Sequence, residues 1–410
     1  MTYDEAVGWL YSTQLFGIKL GLENMRALCA ALDLNLDSGR PIFLHVAGTN
    51  GKGSVCAMLD SILRAAGRRV GLYTSPHLVT FRERIRLDGE MISETEAAAG
   101  LTRIREVVEG WEQAPTFFEI ATALALDWFE EQRAQVVVLE TGLGGRLDAT
   151  NVVTPAVSVL TSIGLDHEKF LGATVAEIAA EKAGIIKRGV PVVSAPQEPA
   201  VRAVIEAAAA GCGSSCVFVE EPLQSSPVGL AGSHQRCNAA LVRAALVAAG
   251  AAFEVAGADI EAGLARVVWP GRFQRVGGRT VLDGAHNPAA AQRLAETWRE
   301  EFGAARATLV LGVMRDKDVR GVCAALAPIA ARVFAVRVDN PRSCSAEELG
   351  AVMRTVAPNV ECAGFQKLPA ALAAAERQPE RVLIAGSLFL VGEAFVALGL
   401  ADPQRESSVQ

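Results

Sequence analysis

The chain lacks the features that mark nucleic-acid binders, secreted scaffolds and membrane proteins. Lysine and arginine total 39 against 46 aspartates and glutamates, a formal net charge of −7, and no long basic block occurs. Attraction to nucleic acid or to an anionic membrane needs a concentrated positive face, so neither is expected as a partner. Small anionic ligands stay open, because they need only a local cluster of donors. Eight cysteines are scattered apart from Cys212 and Cys216, and no histidine stands near them at zinc-finger spacing. They are expected to be reduced packing residues in a cytoplasmic protein. The opening stretch MTYDEAVGWLYST is acidic early and lacks the basic start and apolar run of a signal peptide. No repeat of fixed period is seen, and the 38 glycines and 17 prolines form neither a collagen period nor a linker run. Only Val382–Ala401 is long and apolar enough to resemble a membrane span. Gly386-Ser387 interrupts it and Glu393 lies in its middle, so a buried strand, a tight turn and a core-packed helix are expected instead.

What is present is ample apolar material. Half of the 410 residues are hydrophobic, and at roughly 100–200 residues per domain the length suggests two or three domains. Apolar runs rich in β-branched residues alternate with alanine-rich helical stretches. PIFLHVAG, RRVGLYTS, AQVVVLETG, PAVSVLTS and VPVVSAP read as buried strands, with helices such as 54–66, 94–109 and 176–186 between most of them. Continuous apolar strands joined by helices predict a parallel sheet covered on both faces. A second series follows WPGRFQ: RTVLDGAHN, ATLVLGVM, RVFAVRV, VECAG and RVLIAGS read as strands, and stretches near 288–302, 318–330, 345–356 and 367–376 as helices. Pro270-Gly271 and Gly277-Gly278 bracket the junction. The expected fold is therefore α/β: a parallel-sheet domain over residues 1–274 and a smaller Rossmann-like α/β domain over 275–410. The final DPQRESSVQ is polar and expected to fray.

The strongest chemical signal is FLHVAGTNGKGSVCAMLDSIL. A strand runs into Gly48, Thr49, Asn50, Gly51, Lys52, Gly53 and Ser54, and a helix follows. Glycines let backbone N–H groups curl around phosphate oxygens, the helix N-terminus adds partial positive charge, and Lys52 adds a full one. The usual phosphate loop has a glycine where Val46 stands, so this is a shorter variant. Bound phosphates call for Mg²⁺, which prefers hard oxygen ligands. Glu140 ends VVVLE and opens onto the ligand edge of a parallel sheet, a suitable place for a metal-binding carboxylate. Ser75, at a strand end in YTSPHL, could add a hydroxyl. Of five histidines, His77, His167 and His286 fall in loops after strands. Lys182, in EKAGIIK, reads by itself as a surface lysine.

GTNGKGS, YTSPHLVTFRERI, TFFEIAT, LETGLGGRLDATN, SIGLDHEKFLG, EKAGIIK, GSHQRCNA, WPGRFQ, LDGAHNP, GVMRDKD and AGSLFLVG occur in this order. Together they resemble bacterial folylpolyglutamate synthase/dihydrofolate synthase, within the Mur ligase superfamily, across essentially residues 1–400. The resemblance implies that Gly48–Ser54 holds the phosphates of ATP, with Lys52 toward the γ-phosphate. It implies one Mg²⁺ held by Ser75 and Glu140, and a second served by Glu140, His167 and Lys182. For that second role Lys182 would carry CO₂ as a carbamate, since an ammonium cannot ligate a metal. Asn238 and Arg272 would contact the nucleotide from the first domain and the hinge, and Asp283 and His286 from the second. Phe118 and Asp148 match positions that bifunctional members use around the pterin. Glutamate recognition has no sharp handle; Arg342 and Ser343 are candidates.

The reaction so implied joins L-glutamate to dihydropteroate or to a reduced folate through an acyl phosphate, with a monomer closing two domains on its substrates. An enzyme that only extends folates is the nearest alternative. A peptidoglycan-precursor ligase of the same superfamily is disfavoured, because such enzymes carry a UDP-sugar domain ahead of the ATP loop and the loop here begins at Gly48. A nucleotide switch would want a guanine-specifying Asn-Lys-x-Asp stretch, and none is present.

Overall fold

The computed structural model describes residues 1–16, 21–36, 39–250 and 254–401. Its first sheet has eight strands: β1 (Ile42–Ala47), β2 (Val70–Tyr73), β3 (Ile85–Leu87), β4 (Glu90–Met91), β5 (Val136–Glu140), β6 (Val157–Leu160), β7 (Val192–Ser194) and β8 (Cys216–Phe218). The order is β4-β3-β2-β5-β1-β6-β7-β8. All pairings from β2 to β8 are parallel, and β3 and β4 add an antiparallel meander at one edge. The central strands are mostly apolar because both faces are covered, with His45 of β1 and Ser158 of β6 as buried polar exceptions. Val137 and Leu139 of β5 point into the cluster under the helices Glu94–Val108 and Phe117–Glu131. Val136 and Val138 point the other way, toward the helices Lys52–Ala65 and Ser233–Ala248.

The second sheet has six strands: β9 (Gln274–Val276), β10 (Thr280–Leu282), β11 (Ala307–Leu311), β12 (Ala330–Val336), β13 (Glu361–Phe365) and β14 (Arg381–Ala385). Their order is β13-β12-β11-β14-β10-β9, parallel except for the edge strand β9. The α/β class with two parallel-dominated sheets is as the sequence predicts. So is the reading of the apolar run near the end: β14 gives way at Gly386 (φ 105°) to the helix Leu388–Ala397. Among the described residues no helix is long and apolar enough to cross a membrane.

The two sheets meet at the ends where ligands bind in such folds. Asn50, after β1, exchanges amide hydrogen bonds with Asn287, after β10. Asp166, after β6, pairs with Lys317, after β11, at 2.7 Å. Leu78 and Val79, after β2, are buried in one cluster with Leu282, Val310 and Val391 of the second unit. Glu300 accepts from Ser233 N and Oγ, so the second unit supplies an acceptor to the start of the helix Ser233–Ala248, which has no cap of its own.

Several expectations change in detail. The helix expected over 318–330 stops at Leu326, because Pro328 removes a backbone donor and a short 3-10 turn leads into β12. The helix expected over 176–186 ends at Ala183 before Gly184. The polar tail 402–410 lies outside the described residues.

Candidate active site

The phosphate-type loop stands at the centre of the first sheet, between the ends of β5 and β6. Its shape depends on glycine at close approaches. A Cβ at Gly48 would lie 1.8 Å from Thr161 Oγ1, and one at Gly53 would lie 2.7 Å from the indole nitrogen of Trp269. Gly51, at φ 93°, takes the left-handed turn that starts the helix Lys52–Ala65. Thr49 N and Asn50 N both donate to Ser162 O. The loop therefore leaves the amides of Gly51 to Ser54, at the helix N-terminus, as the anion donors. Lys52 Nζ curls back to Gly48 O at 3.0 Å, and Gln235 donates from Nε2 to Ser54 Oγ and accepts at Oε1 from Asn238 Nδ2. Gln235 thus links Asn238 to the loop; its position three residues before Asn238 on a helix was the available signal.

Glu140 is buried at the end of β5, and its Oε2 accepts from Ser75 N at 3.1 Å. Burial raises its carboxyl above the ordinary value, partly offset by Lys52, the Ser75 amide and Arg272. Glu140, Ser75, Glu83, Trp269, Arg272 and Leu388 line a cleft between the two units. Arg272 also packs against Gly284, where a Cβ would meet its Nη1 at 2.5 Å.

The loop after β6 carries Asp166 and His167. His167 opens a short helix in the left-handed conformation (φ 53°), and its side chain is 45% exposed. Asp166 is enclosed: its Oδ1 accepts from Lys317 Nζ, and its Oδ2 accepts from Asn287 Nδ2 at 3.3 Å. Burial pushes this carboxyl up, but His167, Lys317 and His286 outweigh it and hold it well below the usual range. His286 Nδ1 donates to Gly284 O, which leaves Nε2 facing Asp166 at 3.9 Å. Burial and Lys317 lower its pKa to about 4, so it is neutral at pH 7. Both oxygens of Asp283 are taken by backbone amides, those of Phe273 and Ala285, so it shapes this loop from behind.

Lys182 is 5% exposed near the end of the helix Val175–Ala183. Among the described residues no hydrogen bond or ion pair holds its ammonium. Burial, then Lys52, lowers its pKa to about 7, against the opposing pull of Asp166 and Asp148. The surface reading of Lys182 is therefore corrected: it is buried. Among the described residues no three histidine, cysteine, aspartate or glutamate side chains are grouped to hold a metal ion.

Phe118 packs 5.9 Å from the Tyr73 ring and covers Gly142. Asp148 accepts from the amides of Gly142 and Leu143 with one oxygen, and from Thr150 N and Oγ1 with the other. Its carboxylate is saturated and organises the loop after β5. Two buried residues beside this region were missed in the sequence. Arg84 donates from Nε to His77 Nδ1 at 2.9 Å and lies over the Phe117 ring. His45, fully buried on β1, donates to Thr150 Oγ1 at 2.8 Å. Of the glutamate candidates, Ser343 is buried with its hydroxyl engaged by Val338 N and Cys344 O, and Arg342 faces Asp316 at 3.7 Å.

Residues 46–210 match the Mur ligase middle domain, and residues 271–388 match the family described as Mur ligase, glutamate ligase domain. The dihydrofolate synthase/folylpolyglutamate synthase of Bacillus subtilis is 38% identical over 379 residues, 85% of this chain and 88% of that protein. The Escherichia coli protein of the same description is 37% identical over 350 residues, 81% of each chain. Among solved structures, E. coli FolC in complex with DHPP and ADP superposes with a TM-score of 0.87 at 33% identity, covering 96% of this chain and 98% of that one. Mycobacterium tuberculosis folylpolyglutamate synthase, complexed with ADP and AMPPCP, gives 0.86 at 32% identity and covers 98% and 99%.

Proposed function

Since this chain belongs to the dihydrofolate synthase/folylpolyglutamate synthase family of Mur ligases, we propose that it joins L-glutamate to dihydropteroate and to the glutamate tail of reduced folates at the expense of ATP. It is an ATP-dependent carboxylate–amine ligase. One observation carries the reading: Gly53 of the phosphate-type loop and Glu140 line one cleft with Arg272 and with Leu388 of the second unit, while Asn50 of the same loop bonds Asn287 of that unit.

A carboxylate is a poor electrophile at neutral pH. Transfer of the γ-phosphoryl group of ATP to it gives an acyl phosphate and ADP. The amine of L-glutamate then attacks the acyl carbon, the amide bond forms as the C–O bond breaks, phosphate leaves, and the amine gives up its proton. The first step is mainly positioning and charge neutralisation. The amides of Gly51–Ser54, the helix N-terminus and Lys52 supply positive potential at the phosphates. Arg272, Asn238 and His286 are proposed to contact the nucleotide, with Asp283 holding the loop that presents His286. Phe118 is proposed to line the pterin pocket, and Asp148 to shape it.

Mg²⁺ fits the donors present. Glu140 has one oxygen bonded by Ser75 N, and both residues line the cleft. Held by Glu140 and Ser75, such an ion would neutralise phosphate charge. For a second ion, Glu140, His167 and a carbamylated Lys182 are proposed. The amine of Lys182, whose pKa burial lowers to about 7, suits addition of CO₂. With ¹³C-bicarbonate, a carbamate carbon signal is expected in the wild type and is expected to vanish in Lys182→Arg.

We further propose the division into residues 1–274 and 275–410, a monomer, and a cytoplasmic location. The last is supported by eight cysteines that are all free. The folate-extending-only alternative draws on Lacticaseibacillus casei folylpolyglutamate synthase, 34% identical over 376 residues. Turnover with dihydropteroate and with tetrahydrofolate, measured side by side, decides: amide formation with both is expected. Failure with dihydropteroate alone would leave the narrower activity.

A further inference from the structure

We propose that Asp166 is the positioning residue through which the second-sheet unit is seated over the phosphate loop. One carboxylate ties together four separate chain segments. Its Oδ1 receives Lys317 Nζ at 2.7 Å, from the loop after β11. Its Oδ2 receives Asn287 Nδ2 at 3.3 Å. Asn287 in turn donates from Nδ2 to Asn50 Oδ1 at 3.0 Å and accepts from Asn50 Nδ2 at 3.4 Å. The same Asn287 Oδ1 accepts from Ala290 N, so it also fixes the start of the helix Pro288–Phe302. A displacement of Asp166 would therefore be felt at Asn50 in the phosphate loop and at both loops that face it.

Burial separates this contact from the other ties across the seam. The Asp166 and Lys317 side chains are 11% and 12% exposed. The Ser233–Glu300 hydrogen bonds are at the surface, and the Leu78–Val391 cluster is apolar and fixes no direction. A buried ion pair adds little net stability, because desolvation offsets attraction, and its effect is on which arrangement forms. Breaking one partner leaves the other charge buried and alone, which favours separation of the two units.

A binding site shared by two units is competent only when both are seated, so its apparent affinity falls with the seated fraction. Saturating nucleotide draws the units together again. Loss of the tie is thus expected to raise KM for ATP more than it lowers kcat. A residue that only stabilises the fold would lower the melting temperature and the active fraction, leaving KM unchanged.

The inference uses the ligase reading for its kinetic assay, and hydrogen exchange supplies a readout without turnover. Full-length wild type, Asp166→Asn, Lys317→Met and the double variant would be compared. Lys317 is remote in sequence from His167, so agreement between the single variants separates the tie from damage to a neighbouring metal ligand. Each single variant is expected to raise KM for ATP about ten-fold with kcat changed less than about three-fold, and Asp166→Glu to recover part of the loss. Amides of segments 46–54 and 283–290 are expected to exchange faster together, and the double variant to be no worse than the worse single. KM within two-fold of wild type in both single variants, losses that multiply in the double, or a lower melting temperature with KM and exchange unchanged would overturn the inference. Absence of turnover in the wild type would count against the ligase reading instead, and exchange would still judge the tie.

Discussion

His45 lies beneath the proposed pterin loop, linked to it through Thr150 and Asp148. Among the described residues its Nδ1 has no partner, and burial lowers its pKa to about 3. The unfolded chain takes up a proton near the ordinary value of 6.5 and the folded chain does not. Stability from this residue is therefore complete above pH 6.5 and falls as pH drops toward 3. Between pH 6.5 and 5 the loss is about 2 kcal/mol. His45→Gln keeps a donor for Thr150 and has nothing to titrate, so its urea-unfolding stability should fall less over that range. Equal slopes for wild type and variant would contradict the assignment. His234 and His286 titrate in both proteins and cancel in the comparison. His45 was invisible in the sequence because a lone histidine in an apolar strand carries no sign of what it supports. Lys182 was misread for a related reason: helical spacing near a polar segment does not reveal burial. Glu140 was easier, since a carboxylate at the end of an all-apolar strand has few structural uses.

At the scale of elements, the phosphate-type loop is held close against the hinge. Gly53 leaves no room for a methyl group beside Trp269. Overpacking of this kind costs about 1–3 kcal/mol, so Gly53→Ala should weaken ATP binding about ten-fold or more in calorimetric titration. Combining it with Trp269→Leu, which removes the indole, should recover part of the loss. No recovery would mean that the clash is not the cause. The buried parallel strands were legible because each is a continuous apolar run, doubly covered. Strands β3, β4 and β9 were not: they are two or three residues long, partly exposed, and exist by antiparallel pairing to an edge. Their signal is in the neighbour rather than in the segment. The helix after β11 was overextended for want of weight on Pro328.

At the scale of the molecule, a chain of net charge −7 is proposed to bind anionic substrates by concentrating Lys52, the helix N-terminus behind it and Arg272 on the seam between two sheets. The seam itself could not be read from spacing, because Asp166 and Lys317 are 151 residues apart and each reads locally as a surface charge. Lys52→Ala removes the one lysine of the phosphate loop and should abolish turnover while leaving the melting temperature close to that of the wild type. ATP cleavage is proposed to be coupled to amide formation. The most direct test of this coupling is ADP release by the purified protein with Mg²⁺ and bicarbonate, with each substrate omitted in turn. Release that requires both dihydropteroate and L-glutamate, one ADP per amide formed, is the predicted result. ADP release at the same rate without either substrate, or no amide product with all of them present, would contradict it.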